Sequence, residues 1–322
     1  MTKKYEVACV GILCADVLAK PVDMMPEKGK LALIEKLQLR IGGCAANVSV
    51  DLSKIGIDTA IIGKIGVDGF GRFILDTLKA EKVDVAGLKI DCTVPTSASM
   101  VMIDSEGERS IFHCLGSNGQ FTYEDINFDI IKNSKILLIA GTFLMPQFDG
   151  AGAERLLKEA RQAGVLCCTD TAWDSSGQWM KKINGMLQYL DWFMPSYDEA
   201  NKMSGKTVPA EIAKVFLSKG VRNVLIKLGK DGCYVKPENQ NGFIVPTYKD
   251  IKVVDTSGAG DSFCAGFVAG LSKGWDIEKC ATFANAVGTH CVMEIGTTTG
   301  IKSMSETLEF MSIYEKRTMK QS

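Results

Sequence analysis

The segment from Asp255 to Leu271 constrains the fold of this chain most strongly, because a turn of small residues leads there directly into an apolar stretch. The residues before it, Ile251–Val254, have the apolar and β-branched character of a strand. The apolar stretch carries large side chains at helical spacing, Phe263, Phe267 and Leu271. The segment therefore predicts a strand, a tight turn and a helix in succession.

The turn predicts an anion site. The first N–H groups of a helix have no acceptor within the helix, and glycines without a Cβ allow an anion to approach them. Gly258, Ala259 and Gly260 would thus form a concavity suited to a phosphate. Asp261 follows at the helix start, where its carboxylate can accept a proton from a hydroxyl that attacks phosphorus. An Asp at this place can also simply cap its helix, and the motif alone allows both interpretations.

Two long patterns resemble the signatures of one family, the ribokinase-like (PfkB) carbohydrate kinases. The stretch DTSGAGDSFCAGFV, residues 255–268, is similar to the C-terminal signature at each position. Residues 42–66 are similar to the N-terminal signature, through Gly42, Gly43, Ala45, Asn47, Ser49, Gly56 and Gly66. With the landmarks between them, the resemblance covers about residues 5–302.

The resemblance implies an α/β, ribokinase-like fold of three layers, with a central, mostly parallel sheet, helices on both faces, and a small β-sheet lid. It implies one kinase domain over 1–322, with a lid formed by about 14–41 and 95–116. The implied reaction moves the γ-phosphoryl group of ATP, bound with Mg²⁺, to a sugar hydroxyl, with Asp261 as the base. In many members the lid also contacts a second subunit, so a homodimer through the lid is a further expectation.

The pattern of apolar runs agrees with such a fold. Tyr5–Leu13 predicts a buried first strand, Leu31–Ile41 a lid strand, and Ser97–Ile103 with Arg109–Leu115 a hairpin. From Lys135 onward strands and helices alternate, which is typical of a parallel sheet covered by helices. The predicted elements there are strands at Ile136–Ala140, Val165–Thr169, Trp192–Met194, Val224–Lys227 and Gly232–Val235, and a helix at Glu154–Gln162.

Five residues are candidates for binding the sugar: Asp16, Gly42, Gly43, Asn47 and Asn118. Asp16 follows the first strand, at the sheet edge where α/β folds bind ligands, and in the family this Asp contacts substrate hydroxyls. The glycine pair lets backbone approach a ligand, and the amide of Asn47 suits a polyol. Without the resemblance, Asp16 reads equally as a turn residue and Asn47 as a helix cap.

The resemblance assigns three residues to the nucleotide. Lys227 would pair with its phosphates, Gly229 would let the backbone pass close to its base, and Asn285 would form part of the wall around the adenine. A plain hairpin turn is the alternative for the segment that begins at Lys227. Arg109 has two interpretations as well, an exposed hairpin charge or a substrate contact. Asp170 and Asp174 end a predicted strand, where they would either face the metal or substrate or cap a loop.

Metal sites are also implied by the resemblance. Glu199 matches a residue that organises Mg²⁺ through water, whereas Ser196 stands where the family has Asn, which puts the metal geometry in question. Asp255, Ser257 and Gly296 match the segment that in many members encloses a potassium ion. K⁺ activation is therefore an expectation.

Composition excludes several other classes of function. The net charge of −1, from 37 basic and 38 acidic residues, predicts neither a nucleic-acid nor a membrane surface. The eleven cysteines lack metal-binding spacing, and the start of the chain lacks a signal peptide, so a cytoplasmic protein with reduced thiols is expected. The two histidines lie outside any motif, which leaves Asp261 as the candidate base.

Two other functions remain to be separated from a sugar kinase. A nucleoside kinase shares these motifs but would hold its acceptor base against aromatic side chains, of which the lid offers only Phe112. A non-catalytic sugar- or nucleotide-binding regulator would be expected to lack either Asp261 or the glycines before it, and this chain has both.

Overall fold

The fold, taken from a computed structural model that describes residues 3–319, is built on a nine-stranded sheet. Its strand order is β13-β12-β11-β10-β9-β8-β1-β4-β5. The strands are β1 Tyr5–Gly11, β4 Thr59–Gly66, β5 Asp84–Asp91, β8 Ser134–Thr142, β9 Leu166–Thr171, β10 Trp192–Phe193, β11 Asn223–Lys227, β12 Cys233–Lys236 and β13 Phe243–Val245. The first seven in this list pair in parallel, whereas β12 and β13 are antiparallel.

A separate four-stranded sheet, the small sheet, has the order β3-β2-β6-β7. Its strands are β2 Cys14–Lys20, β3 Lys36–Gly42, β6 Ala98–Ile103 and β7 Arg109–Cys114. β6 and β7 form the predicted hairpin, and β2 follows β1 after a two-residue connection. The small sheet is therefore joined to an inner strand of the large one.

Helices cover both faces of the large sheet. They are α1 Cys44–Ile55, α2 Gly69–Ala80, α3 Gly116–Gly119, α4 Phe128–Lys132, α5 Ala151–Gln162, α6 Met180–Ile183, α7 Tyr197–Ser204, α8 Pro209–Ser218, α9 Ala259–Ser272, α10 Ile277–Val292 and α11 Met304–Met319. One apolar core, under α1, α9 and α10, takes Val7 and Cys9 from β1, and the other, under α5 and α8, takes Ala8 and Val10. Because both faces of β1 are buried, it is apolar throughout. These layers confirm the expected fold class.

Two predictions about strands need correction. The lid strand expected at Leu31–Ile41 forms only over Lys36–Gly42, since its paired register with β2 begins where Lys36 lies opposite Lys20. Ile251–Val254 forms no strand, because it pairs with neither sheet, and β13 is the last strand of the large sheet. Val253 and Val254 are instead exposed, and the amide of Val254 donates to the carbonyl of Val292 at the end of α10. A β-branched run without a neighbouring strand does not make a sheet.

The ends of the expected 1–322 domain, residues 1–2 and 320–322, lie outside the described residues. Within residues 3–319, every helix is too short or too polar to span a bilayer.

Candidate active site

Helix α9 begins at the small-residue turn, as the sequence predicts. Gly258 is its N-cap, with φ of 76° and no side-chain cap. A Cβ on Gly258 would lie 2.6 Å from the carbonyl oxygen of Thr297, so a glycine is required by both conformation and space. The amides of Gly258 and Gly260 belong to the helix start, where intrahelical acceptors are lacking. The amide of Ala259 donates to the Thr256 carbonyl at 3.3 Å, which engages one predicted donor of the anion site.

Asp261, in the first turn of α9, does not cap its own helix, since Gly258 holds that position. Its Oδ2 accepts a hydrogen bond of 2.8 Å from Asn47 Nδ2, and Asn47 Oδ1 accepts one of 2.9 Å from Thr297. Burial raises the pKa of Asp261, although the bond from Asn47 and the charge of Lys227 partly offset this. The carboxylate is thus oriented by a neighbour and made more basic by its surroundings.

Asp16 lies on β2 of the small sheet, beside the glycine pair. A Cβ on Gly42 would lie 2.0 Å from Asp16 Oδ2, so Gly42 leaves room for this carboxylate. Gly43 is the N-cap of α1, with φ of 90°. The pair was expected to let backbone approach a ligand, and in the structure Gly42 accommodates a side chain of the same chain.

Two predicted sugar contacts have protein partners. The Asn47 amide is held between Asp261 and Thr297. Asn118, only 2% exposed, donates to the Leu13 carbonyl at 2.9 Å and accepts from the Leu13 amide at 3.2 Å. Asn118 thus braces the connection between β1 and β2, which favours a structural role over a contact with substrate.

The small sheet carries a polar row that includes the predicted Asp16 and two residues, Ser99 and His113, that were missed from the sequence. Asp16, Ser99 and His113 stand opposite one another on β2, β6 and β7. Ser99 Oγ lies 3.1 Å from His113 Nδ1 and 3.3 Å from Cys14 Sγ, and Cys14 Sγ lies 3.2 Å from Asp16 Oδ1. Burial, with the nearby charge of Asp16, raises the pKa of Cys14 to about 12, so its thiol is protonated. Only the register of the hairpin could have revealed this row.

Arg109 shows which way this row faces. Arg109 and His113 are four residues apart on β7, so both lie on the same face of the small sheet. The Arg109 side chain reaches Asp255, which accepts from its Nη2 at 2.6 Å, and it also bonds to Ser257 Oγ. That face therefore looks toward the turn before α9. Arg109 is an exposed hairpin charge, 37% exposed, that is also ion-paired with Asp255.

A cavity of about 530 Å³ adjoins the start of α9 on the side of the predicted nucleotide residues. Lys227, Gly229 and Asn285 all line it, together with Ala259 and Gly260. Asn285 is 3% exposed and donates to the Val245 and Pro246 carbonyls, both at 3.2 Å. It therefore fixes the chain that leaves β13 as one wall of the cavity.

Lys227 forms a buried ion pair with Asp170 close to the start of α9. Its Nζ lies 2.5 Å from Asp170 Oδ1, and the two side chains are 11% and 2% exposed. Burial lowers the pKa of Lys227, but Asp170 and the other nearby negative groups outweigh it and raise that pKa well above its usual value. Lys227 Nζ would lie 3.5 Å from a Cβ on Gly260, so a fixed positive charge stands beside the anion site. Asp170 thus has a definite partner, whereas Asp174 binds its own loop at Ser176 and Trp179.

Glu199 and Ser196 form a capping box at the start of α7. Glu199 Oε2 accepts from Thr171 Oγ1 at 2.8 Å and from the Ser196 amide at 3.0 Å. Ser196 is thus engaged as a helix cap, which accounts for a serine at this position. The carboxylate of Glu199 can accept hydrogen bonds from waters bound to Mg²⁺, and the Thr171 hydroxyl beside it adds a further oxygen, so the residues present fit that metal.

Asp255, Ser257 and Gly296 are brought together as the resemblance implies. Asp255 Oδ1 accepts from the Ser257 amide at 2.9 Å, and Oδ2 accepts from the Gly296 amide at 3.0 Å. Burial alone would raise the pKa of Asp255, but these bonds and that from Arg109 lower it to about 2. The carboxylate is therefore ionised throughout the neutral range.

Comparison with known proteins agrees with this geometry. The model of the pfkB family carbohydrate kinases matches residues 4–304. The chain is 28% identical to an ATP-dependent 6-phosphofructokinase of Thermoanaerobacterium thermosaccharolyticum, over 91% of this chain and 90% of that protein. It is 28% identical to a 2-dehydro-3-deoxygluconokinase of Bacillus subtilis, over 89% and 91%. A ribokinase structure from Thermotoga maritima superposes with a TM-score of 0.82, at 25% identity, over 96% of this chain and 99% of that one.

The relatives are named for different sugars, so their likeness leaves the acceptor open. The family model, by contrast, spans nearly the whole described chain and includes both the small sheet and the turn before α9. Its named relatives are phosphotransferases. The chain belongs to the pfkB family of carbohydrate kinases.

Proposed function

We propose that this chain is an ATP-dependent sugar kinase that transfers the γ-phosphoryl group of Mg-ATP to a hydroxyl of a small carbohydrate. One observation supports this most directly. The carboxylate of Asp261 is held by Asn47, and it directly follows Ala259 and Gly260, which line the cavity together with Lys227. The face of the small sheet that carries Asp16 contacts the turn before α9 through Arg109. A base placed between an acceptor site and a nucleotide site is what phosphoryl transfer requires.

In the proposed reaction Asp261 accepts the proton of the attacking hydroxyl. The helix-start amides of Gly258–Gly260 and the ammonium group of Lys227 offset negative charge on the transferring group. Magnesium, held through water by Glu199, would supply further charge neutralisation at the phosphates. Binding at the nucleotide end is assigned to Lys227, Gly229 and Asn285.

The polar row on the small sheet favours a sugar over a nucleoside. Asp16, Ser99 and His113 offer hydrogen-bonding groups on the face that looks toward the α9 turn. Phe112, an odd number of positions from Arg109, lies on the opposite face, away from that turn. The small sheet therefore gives an acceptor polyol partners but gives an acceptor base no aromatic surface from Phe112. A binding-only regulator is disfavoured because the base and its turn are both present.

We further propose that residues 1–322 act as one kinase domain, with the small sheet as a lid that excludes water from the reaction.

A homodimer through the lid is proposed from its outward face, which carries exposed apolar side chains at Leu37, Leu39, Met100 and Phe112. A cytoplasmic location is proposed because all eleven cysteines are free, eight of them buried.

Release of ADP from Mg-ATP, measured across pentoses, hexoses, phosphorylated hexoses, keto-sugar acids and nucleosides, tests the proposal. Turnover with one sugar well above the background hydrolysis of ATP is expected, and product analysis then gives the hydroxyl that is phosphorylated. A nucleoside as the best acceptor would instead establish the alternative of the same fold. ATP binding by calorimetry without turnover on any acceptor would contradict the proposal.

A further inference from the structure

We propose that Arg109 is a built-in counter-cation for Asp255, so that this enzyme needs no monovalent metal ion, and that the same contact positions the α9 turn when the small sheet is docked. The inference rests on the proposed kinase function for its activity readouts. It departs from the expectation of K⁺ at Asp255, Ser257 and Gly296.

The first reason is that every oxygen of the Asp255 carboxylate has an N–H partner. Oδ1 accepts from Arg109 at 2.6 Å and from the Ser257 amide at 2.9 Å, while Oδ2 accepts from the Gly296 amide at 3.0 Å. The Asp255 side chain is only 11% exposed, so its charge needs compensation from the protein. Arg109 supplies one full positive charge at that place.

The second reason is that a guanidinium and a metal ion compete for the same ligands. A guanidinium has five donors and no acceptor, so it cannot share a site as a ligand of a cation. Arg109 also donates a hydrogen bond to the hydroxyl of Ser257, which is then less available as a metal ligand. A monovalent ion at this carboxylate would meet a like charge within contact distance. The residues present therefore do not fit a potassium ion.

The third reason is the place of the contact in the chain. Arg109 comes from β7 of the small sheet, and its partners Asp255 and Ser257 lie within the three residues before Gly258, the N-cap of α9. Thr297, next to Gly296, bonds to Asn47, which in turn holds Asp261. Arg109 is thus a positioning residue: it touches neither the cavity lining nor the base, but it links the small sheet to the turn that carries them.

The cation test needs no substrate. Thermal unfolding is measured in KCl, NaCl and choline chloride at equal ionic strength, for the wild type, Arg109→Ala and Arg109→Lys. We expect the wild type to melt at the same temperature in all three salts. Arg109→Ala is expected to melt lower and to be stabilised selectively by KCl, and Arg109→Lys to resemble the wild type. Selective stabilisation of the wild type by KCl, or an Arg109→Ala variant indifferent to the cation, would overturn the proposal.

The activity test uses the acceptor that the panel identifies. Arg109→Ala is expected to lose about 10-fold in kcat, in the range of one charged contact, with KM for ATP little changed. Added KCl or guanidinium chloride should restore part of that loss, which a merely structural defect would not allow. Arg72→Ala, on the exposed surface of α2, is the matched control and should behave as the wild type. Several-fold activation of the wild type by K⁺ over Na⁺ would contradict the proposal.

The two proposals fail in different ways. If no acceptor is turned over, the sugar-kinase proposal fails, while the salt dependence of unfolding still decides the role of Arg109. If turnover is found but depends on K⁺, the kinase stands and the counter-cation proposal fails.

Discussion

Asp261 is the residue on which the proposed chemistry depends most. Asp261→Asn keeps the size of the side chain and a partner for Asn47 but cannot accept the proton. Turnover is expected to fall by at least about 100- to 10,000-fold, the usual contribution of a general base, with an unchanged circular dichroism spectrum. Asp276→Asn is the control, since Asp276 is an exposed N-cap of α10 and Asn caps equally well. Near-normal turnover of Asp261→Asn would remove the base assignment.

The pH dependence of the reaction should report the surroundings of Asp261. Its pKa is raised by burial, so kcat/KM should fall as the pH drops through a value above the usual carboxylate range. The bond from Asn47 stabilises the charged form and lowers that pKa. Asn47→Ala should therefore move the acid limb of the profile to higher pH. A limb that stayed in place, or moved to lower pH, would contradict this role of Asn47.

At this scale, local spacing predicted the helix start at Gly258 and pointed to the proposed base, but it did not predict the partners of either. Asp261 and Gly258–Gly260 lie within one short segment, so a pattern of residues reveals them. The contacts of Arg109 and Ser99 depend on which residues the strands of the small sheet bring opposite one another, and no local pattern specifies this. The bonds of Asn118 to Leu13 were not predicted for the same reason, since the two residues are 105 positions apart.

Among the elements, α1 and α9 pack through a buried carboxylate. Asp51 of α1 is fully buried, its Oδ2 accepts from Ser262 Oγ of α9 at 2.6 Å, and its Oδ1 has no hydrogen-bond partner among the described residues. Burial raises the pKa of Asp51 well above its usual value. The folded state thus binds this proton more tightly than the unfolded state does. Stability from this group is present at acid pH and is lost as the pH rises through the raised pKa.

Asp51→Asn should therefore stabilise the protein near pH 8, because a neutral amide costs less to bury than a carboxylate. The gain in melting temperature should shrink as the pH is lowered toward 4, where the native carboxyl is protonated. Calorimetry at both pH values measures this, with Asp58→Asn on the exposed surface as the control. A variant that melted lower than the wild type at pH 8 would show that the ionised carboxylate stabilises the contact.

The sequence predicted helices and strands well where they pack inside the layers of the large sheet. The central strands and the helix predicted at Glu154–Gln162 follow from their apolar periodicity, because both sheet faces are covered along their length, although the helix begins three residues earlier, at Ala151. The strand expected at Ile251–Val254 failed because β propensity describes a residue that fits a half-buried sheet, and this segment has no sheet beside it. Edges of sheets are thus the least predictable part of such a chain.

For the whole molecule, the proposed dimer makes a definite prediction. Leu39 and Phe112 project from the outward face of the small sheet, 38% and 62% exposed. The double variant Leu39→Ser/Phe112→Ser should be monomeric by light scattering at concentrations where the wild type is dimeric. Ile244→Ser, which removes an equally exposed apolar side chain from β13 of the large sheet, should remain dimeric. A monomeric wild type at high concentration would contradict the proposal.

The bond between Asn47 and Asp261 joins residues that are 214 positions apart, and the bond between Asn47 and Thr297 spans 250. Contacts of such separation close long loops. They form slowly, because the entropy of loop closure is lost before the contacts can stabilise the chain. Asn47 can therefore orient Asp261 only after the N-terminal and C-terminal parts of the chain have come into contact. During synthesis, a ribosome-bound chain that has exposed the first signature but not yet α9 holds no oriented base, and phosphoryl transfer begins only with the complete molecule.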